Sequence, residues 1–359
     1  MIKVAQPFFG KEEQEAAARV IASGNVSAGI EVKKFEEAFA KHVHKKHAIA
    51  VSSGTSALMA AIMCRNRKGD TMVPAFSFPA TALVPDLFGN DLIFVDITSN
   101  FCMSHDDMLE KITPTTEVAI PVHLYGRRCD EISEIYETCM DYGITCITDS
   151  CQAPAPWSAD YTDIACYSFY ATKNITTGEG GMIVTNDDSL ANEMRMIINH
   201  GQSKKYYHVI NGINMRMTDI AAAIGSVQLA KYESIQKARH KIAKYYSDNI
   251  ESDFIRAPQY ESTYHEYHLY TVLNNIGISR ERMQRYLQKR DIETSVHYPY
   301  PIYKQPIFRR SYLGTECPIT EIACSVVLSL PCHPNLTEDQ IEYIVETINN
   351  ITRDDVLDV

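Results

Sequence analysis

The stretch Ile164-Ala165-Cys166-Tyr167-Ser168-Phe169-Tyr170-Ala171-Thr172-Lys173-Asn174-Ile175-Thr176-Thr177-Gly178-Glu179-Gly180-Gly181 joins a short apolar run, a lysine and a glycine-rich turn. A second apolar run, 182–185, follows at once. Runs of this length between turn signals read as buried strands. A lysine placed just after such a strand, beside a glycine-rich turn, is a candidate Schiff-base nucleophile, although most lysines are simply surface charges. Outward from it, further apolar runs fall at 47–51, 71–73, 92–95, 118–122 and 144–148, with helical patterns at 56–65 and 130–141 between them. Alternation of strand and helix predicts an α/β domain with a mostly parallel sheet. Two helical patterns, 12–22 and 32–43, precede it across a Ser23-Gly24-Asn25 turn.

Past about residue 245 the texture changes. Runs at 269–273 and 295–298 read as strands, and 279–288 and 337–349 as helices. This predicts a large domain over 1–245 and a smaller α+β domain over 246–359. Residues 218–242 read as one long helix between them.

The chain has 359 residues, 45% hydrophobic and 22% charged, an ordinary composition for a globular protein of about two domains. Its formal charge of -11 argues against a nucleic-acid partner, which needs a basic face. No signal-like or membrane-spanning run occurs, so a cytoplasmic protein without a membrane partner is expected. The ten cysteines are scattered with no Cys-x-x-Cys, so no metal site is expected and reduced thiols are the simple reading.

Two other segments carry chemistry. Ser52-Ser53-Gly54-Thr55-Ser56-Ala57-Leu58 follows a strand and opens a helix. Free amides and the helix dipole make such an end attractive to phosphate, with Thr55 and Ser56 as added donors; an ordinary helix cap is the plain alternative. Ile147-Thr148-Asp149-Ser150-Cys151-Gln152 puts Asp149 at the end of a buried strand, where open α/β sheets bind ligands. A carboxylate there suits a pyridine nitrogen that must stay protonated, or it caps the next helix.

In order and spacing these segments resemble the DegT/DnrJ/EryC1/StrS family of sugar aminotransferases. The strongest match is Ser168 through Gly181. Asp149 with Gln152 matches the family's Asp-x-x-Gln, and Ser53 through Leu58 its phosphate loop. Pro121-Val122-His123-Leu124-Tyr125-Gly126, Gly212-Ile213-Asn214-Met215-Arg216-Met217 and Leu328-Ser329-Leu330-Pro331 are further blocks in the right order. The resemblance implies the aspartate aminotransferase fold, fold type I of pyridoxal phosphate (PLP) enzymes, with a mostly parallel mixed sheet in the large domain. It implies that Lys173 carries PLP covalently, that Asp149 pairs with the ring nitrogen, and that Gln152 reaches the ring's phenolic oxygen. Gly54, Thr55, Ser56 and Ser168 would hold the phosphate, and Phe78 would cover a face of the ring. Asn214 would cross a homodimer interface to the partner's phosphate, giving two shared sites.

The resemblance also implies a cycle through pyridoxamine phosphate, with L-glutamate as donor and a nucleotide-linked keto sugar as acceptor, in amino sugar or polysaccharide biosynthesis. The Thr176–Gly181 turn resembles members acting at carbon four of a 4-keto-6-deoxy sugar; many members acting at carbon three read Tyr-Gly-Asp-Gly-Gly there. A 3-keto substrate is the alternative, and UDP, dTDP and GDP are all open. Dehydratase members replace the lysine by histidine, so Lys173 argues against that class, and Lys173, Asp149 and the phosphate loop together argue against a non-catalytic scaffold. His123 reads as a packed structural histidine. Pro301-Ile302-Tyr303 stands where relatives often have Pro-Leu-His, which questions any substrate contact there. His297 and Tyr298 either line the sugar pocket or belong to a surface loop.

Overall fold

The computed structural model describes residues 1–65, 69–275 and 277–356. Its main sheet has seven strands, β1 (His47–Val51), β2 (Asp70–Pro74), β3 (Leu92–Val95), β4 (Thr116–Ala119), β5 (Thr145–Asp149), β6 (Ile164–Ser168) and β7 (Gly181–Thr185), in the order β1-β7-β6-β5-β4-β2-β3. Only β7 runs against its neighbours. The parallel strands β5 and β6 are apolar because helices cover both faces, as such sheets require.

Helices α1 (Lys11–Ser23), α2 (Ile30–His42), α3 (Gly54–Arg65), α4 (Ala80–Leu87), α5 (His105–Lys111), α6 (Ile132–Tyr142) and α7 (Asp188–Ile197) surround this sheet. Small residues on α3, among them Ala57, Ala60 and Ala61, let it lie close on β6 and β7. On the other face Phe35 and Phe39 of α2 close on Phe169, with ring centroids 5.2 and 5.5 Å away. Phe169 is fully buried and sits four residues before Lys173, so this packing anchors the lysine's loop. Truncating such a ring costs about 3–5 kcal/mol.

A hairpin, β8 (Gln202–Lys204) and β9 (Tyr207–His208), leads to α8 (Asp219–Ala230) and α9 (Tyr232–Asn249). Here the structure corrects the single helix expected over 218–242. The path breaks at Lys231, whose amide bonds the Val227 and Gln228 carbonyls while its ammonium is drawn to Glu12 and Glu13 at 3.0 and 2.9 Å. The break lets Tyr232 turn its hydroxyl toward Glu266.

A second, antiparallel sheet contains β10 (Ile255–Arg256), β11 (Tyr270–Asn274) and β12 (Val327–Leu330), flanked by α10 (Arg280–Gln288), α11 (Pro318–Val326), α12 (Glu338–Asn349) and α13 (Arg353–Val356). Its core joins Ile242 and Tyr246 of α9 to Tyr270, Leu328 and Ile344. Residue 245, the boundary expected from composition, lies within α9. The N-terminal segment also belongs to this core: Ile2 bridges Ile292, and the Lys3 carbonyl meets His333 Nε2 at 3.0 Å. The strand expected over 295–298 does not form. Ser295 makes one bridge to Ser329, and the chain then turns so that the His297 carbonyl accepts the Tyr125 hydroxyl.

Candidate active site

The carboxyl ends of β1, β5 and β6 and the start of β7 meet at one edge of the main sheet. A cleft of about 490 Å³ opens there toward the second sheet. Gly54, Thr55, Phe78, Asp149, Gln152, Ser168 and Lys173, all singled out in the sequence, line it.

Ser53 caps α3: its Oγ accepts the Ser56 amide at 3.0 Å. The cap reading of this segment therefore applies. The cap engages the third amide, and the first two amides of the helix, those of Gly54 and Thr55, have no intrahelical acceptor, which leaves them free to donate to an anion. Gly54 is required by space. A Cβ there would lie 2.8 Å from both Cys151 Sγ and Ser168 Cβ, closing the cradle. Ser56 is not on the cleft wall; its hydroxyl bonds those of Ser52 and Ser53 at 2.9 Å.

Asp149 ends β5 with 6% of its surface exposed. Thr81 Oγ1 donates to its Oδ2 at 2.9 Å and the Cys151 amide to its Oδ1 at 3.1 Å, which holds the carboxylate in one orientation. Gln152 spends its oxygen on the Tyr125 amide at 2.6 Å, so its NH₂ group is left facing outward, 3.3 Å from the Tyr298 hydroxyl. That leaves a donor of the kind a phenolic oxygen needs. Gly126, at φ +88°, allows the sharp turn here: a Cβ would meet the Gln152 carbonyl at 2.9 Å.

Lys173 projects from a loop closed by its own amide on the Tyr170 carbonyl at 2.9 Å. Burial holds its ammonium below the usual lysine range, while Cys151 and Asp149 pull the other way. The turn beyond it is fixed by Thr177 Oγ1 on the Glu179 carbonyl at 2.7 Å and the Gly178 amide on Thr176 Oγ1 at 3.0 Å. Glu179 lies on the cleft wall. Phe78 is 55% exposed, an unusual amount for a phenylalanine, and its ring stands 6.1 Å from that of Tyr298.

His297 and Tyr298 both line the cleft, where the sequence left a surface loop equally open. Burial lowers the His297 imidazole to about 4 and raises the Tyr298 hydroxyl well above the usual tyrosine range, so both stay neutral. Tyr303 is elsewhere: it is buried against Phe94 and donates to Glu321 Oε1 at 2.7 Å. His123 is packed against Trp157, its Nδ1 accepts the Cys129 amide at 3.1 Å, and burial lowers it to about 3. Asn214 is exposed, bridges Asn199 and is not on this cleft's wall. Sequence reasoning gave no role to Thr81, Tyr125 and His268. Thr81 and Tyr125 bond the wall residues Asp149 and Gln152 rather than lining the cleft, and His268 lines it from a distant element.

Among the described residues no group of three or more His, Cys, Asp or Glu side chains is placed to hold a metal ion, and no helix is long and apolar enough to cross a membrane.

A sheet edge that offers a tight glycine cradle, an oriented carboxylate and a lysine fits a phosphorylated pyridine aldehyde, which Gly54, Thr55 and Ser168 would hold at the phosphate, Asp149 at the ring nitrogen and Lys173 at the aldehyde carbon. The model of the DegT/DnrJ/EryC1/StrS aminotransferase family matches residues 7–349, and the chain belongs to that family. It is a PLP-dependent sugar aminotransferase. The GDP-perosamine synthase of Escherichia coli O157:H7 is 32% identical, over 98% of this chain and 99% of that protein. The dTDP-3-amino-3,6-dideoxy-alpha-D-galactopyranose transaminase of Aneurinibacillus thermoaerophilus is 34% identical, over 95% of each. Among solved structures, NtdA of Bacillus subtilis with bound cofactor PMP superposes with a TM-score of 0.89 at 29% identity, covering 95% of this chain and 82% of that one.

Proposed function

We propose that this enzyme moves an amino group from L-glutamate to carbon four of a nucleotide-linked 4-keto-6-deoxy sugar, as a homodimer with shared sites. The observation that carries the reading is the Thr176–Gly181 turn: Glu179 shares the cleft wall with Lys173, so the turn whose sequence resembles carbon-four enzymes borders the reacting region.

Bound PLP supplies an electron sink for the pair left when a proton leaves an amino-bearing carbon. The chain does the rest. Lys173 Nζ, whose hold on a proton burial weakens, takes the proton from the donor carbon and delivers one to the sugar carbon that gains nitrogen. Asp149 holds the proton on the ring nitrogen. Tyr298 and Gln152, neutral donors side by side, orient oxygen atoms without adding charge. Remote binding of the nucleotide fixes the ketone over the ring and turns affinity into orientation.

The test is a matched pair of 3-keto and 4-keto sugar nucleotides with glutamate and PLP. The 4-keto substrate is expected to show the higher kcat/KM, and a free 4-keto sugar is expected to lose kcat as well as affinity. A higher kcat/KM for the 3-keto partner would replace the carbon-four reading with carbon three. The Aneurinibacillus relative, which makes a 3-amino sugar by name, makes that the second reading.

The shared-site reading rests on Asn214, which lies in the Gly212–Met217 block yet off its own chain's cleft. Mixing Lys173→Ala with Asn214→Ala protomers produces heterodimers in which one site carries both lesions and the other neither. About a quarter of wild-type activity is expected to return from random pairing. Verified heterodimers that bind PLP but stay inactive would refute the crossing.

A further inference from the structure

One residue behind the cleft wall has no task in the mechanism above, yet it reaches two of the side chains that form the wall. Tyr125 lies in the turn Leu124–Gly126 beyond β4 and is 4% exposed. Its backbone is left-handed, at φ 60° and ψ 5°, a region that a bulky residue rarely enters. Strain of this kind persists where the surroundings hold it, and it collects at functional sites. The ring packs against Phe76 and Phe101, with centroids 6.4 and 5.5 Å away. A phenylalanine would fill that space as well, so packing does not account for the hydroxyl.

The contacts of Tyr125 run to both ends of one side-chain amide. Its backbone N–H donates to Gln152 Oε1 at 2.6 Å. A backbone N–H can only donate, so the oxygen of Gln152 must face it and the NH₂ group must face away. That NH₂ group donates to the Tyr298 hydroxyl oxygen at 3.3 Å. The Tyr125 hydroxyl in turn donates to the His297 carbonyl, in the peptide unit that leads into Tyr298. Tyr125, Gln152 and Tyr298 thus close a ring of hydrogen bonds.

Both arms of the ring stand on the second sheet. The Leu269 amide bonds the Tyr125 carbonyl at 3.3 Å, and the Glu266 amide bonds the Gly126 carbonyl at 2.7 Å. The loop that carries Tyr298 is tied at its base, where Ser295 and Ser329 exchange backbone bonds at 3.2 and 2.8 Å and His297 Nδ1 meets Ser329 Oγ at 2.9 Å. The Tyr125 hydroxyl adds the bond that holds this loop toward Gln152. Among the described residues the Gln152 side chain makes no hydrogen bond beyond the two in the ring. One of its N–H groups is therefore left for an oxygen in the cleft, and an amide whose own oxygen accepts a bond donates more strongly through its nitrogen.

We propose that Tyr125 is a positioning residue for Gln152: its amide fixes which end of that side chain faces the cleft, and its hydroxyl sets the Tyr298 loop that steers the NH₂ group. A Gln152 free to turn would bring its oxygen against the cofactor's phenolic oxygen, two acceptors face to face. The proposal rests on the reading that Gln152 serves that phenolic oxygen, and its test separates the two.

Tyr125→Phe keeps the ring and the backbone amide and removes the hydroxyl; Gln152→Leu removes the donor itself. The readout is the pH midpoint of the absorbance change of PLP bound in the holoenzyme, which needs no turnover. A donor at the phenolic oxygen favours the proton-poor form, in which that oxygen carries its full charge, so losing the donor raises the midpoint. Rises of about one pH unit in Gln152→Leu and about half a unit in Tyr125→Phe are expected. In the double variant, Tyr125→Phe is expected to add nothing to Gln152→Leu, because a residue that acts through another has no effect once that other is gone. A further rise of about half a unit there would mark a merely structural residue and overturn the proposal. An unmoved midpoint in Tyr125→Phe beside a raised one in Gln152→Leu overturns it too. A midpoint that Gln152→Leu itself leaves unmoved is a different result: it removes Gln152 from the phenolic oxygen, and the role of Tyr125 with it. If the phenylalanine variant does not fold, Tyr125→Leu replaces it under the same criteria.

Discussion

Lys173→Ala is expected to lower turnover by about 10⁴-fold or more, because one substitution removes both the covalent anchor of the cofactor and the base that moves the proton. The protein is expected to stay folded. Among the described residues the Lys173 side chain makes no hydrogen bond or ion pair, and its loop is held instead by Phe169 against α2 and by Asn174 against Glu266. Borohydride reduction of the wild type followed by peptide mapping gives the direct check: the pyridoxyl group belongs on Lys173. Its recovery on another lysine would end this assignment. The lowered proton affinity of Lys173 gives the sign of the pH effect. A buried amine below the usual lysine range is neutral at a lower pH than a surface lysine, so activity is expected to persist toward neutrality and to fall as acid protonates it.

Asp149→Asn is expected to give the second largest loss, about 10²–10³-fold in kcat, with little change in thermal stability. The amide can keep both present contacts, one oxygen for the Cys151 amide and the other end near Thr81 Oγ1, so the fold has little reason to change. What disappears is the negative charge, and with it the reason for a ring nitrogen to stay protonated. Turnover close to wild type in this variant would take Asp149 out of the mechanism.

Why these two residues could be read from the chain, and others not, is a matter of distance along it. Asp149 and Lys173 each sit within a few residues of a strand whose apolar run is unmistakable, so their place at a sheet edge follows from local pattern. The core strands were legible for the same reason, since burial on both faces leaves a continuous apolar signature. His268 reaches the cleft from the start of another sheet, while Thr81 and Tyr125 hold Asp149 and Gln152 from a helix and a loop, and the contacts themselves are not announced by local pattern. The broken helix at Lys231 was hidden because the break is made by two glutamates more than 200 positions upstream. Tyr303 shows the opposite case. It departs from the histidine that relatives often carry there, which questioned a substrate contact, and it packs against Phe94 and bonds Glu321 instead of lining the cleft.

The N-terminal segment threads the second sheet's core: the Val4 amide meets the Glu293 side chain at 3.0 Å across 289 positions, and the Pro7 carbonyl meets Asn335 Nδ2 at 3.0 Å across 328. On the ribosome these partners emerge far apart in time. At bacterial and eukaryotic elongation speeds, a gap of that length amounts to roughly 15 to 60 s. Through that interval Ile2 has no Ile292 to pair with, and the apolar face it will cover lacks its last piece. The main sheet, whose seven strands span residues 47 to 185, can be assembled well before then. Nascent chains should therefore carry a finished large lobe and an open small one, and a trigger for chaperone binding should lie in the unpaired residues 1–8 rather than in the catalytic half.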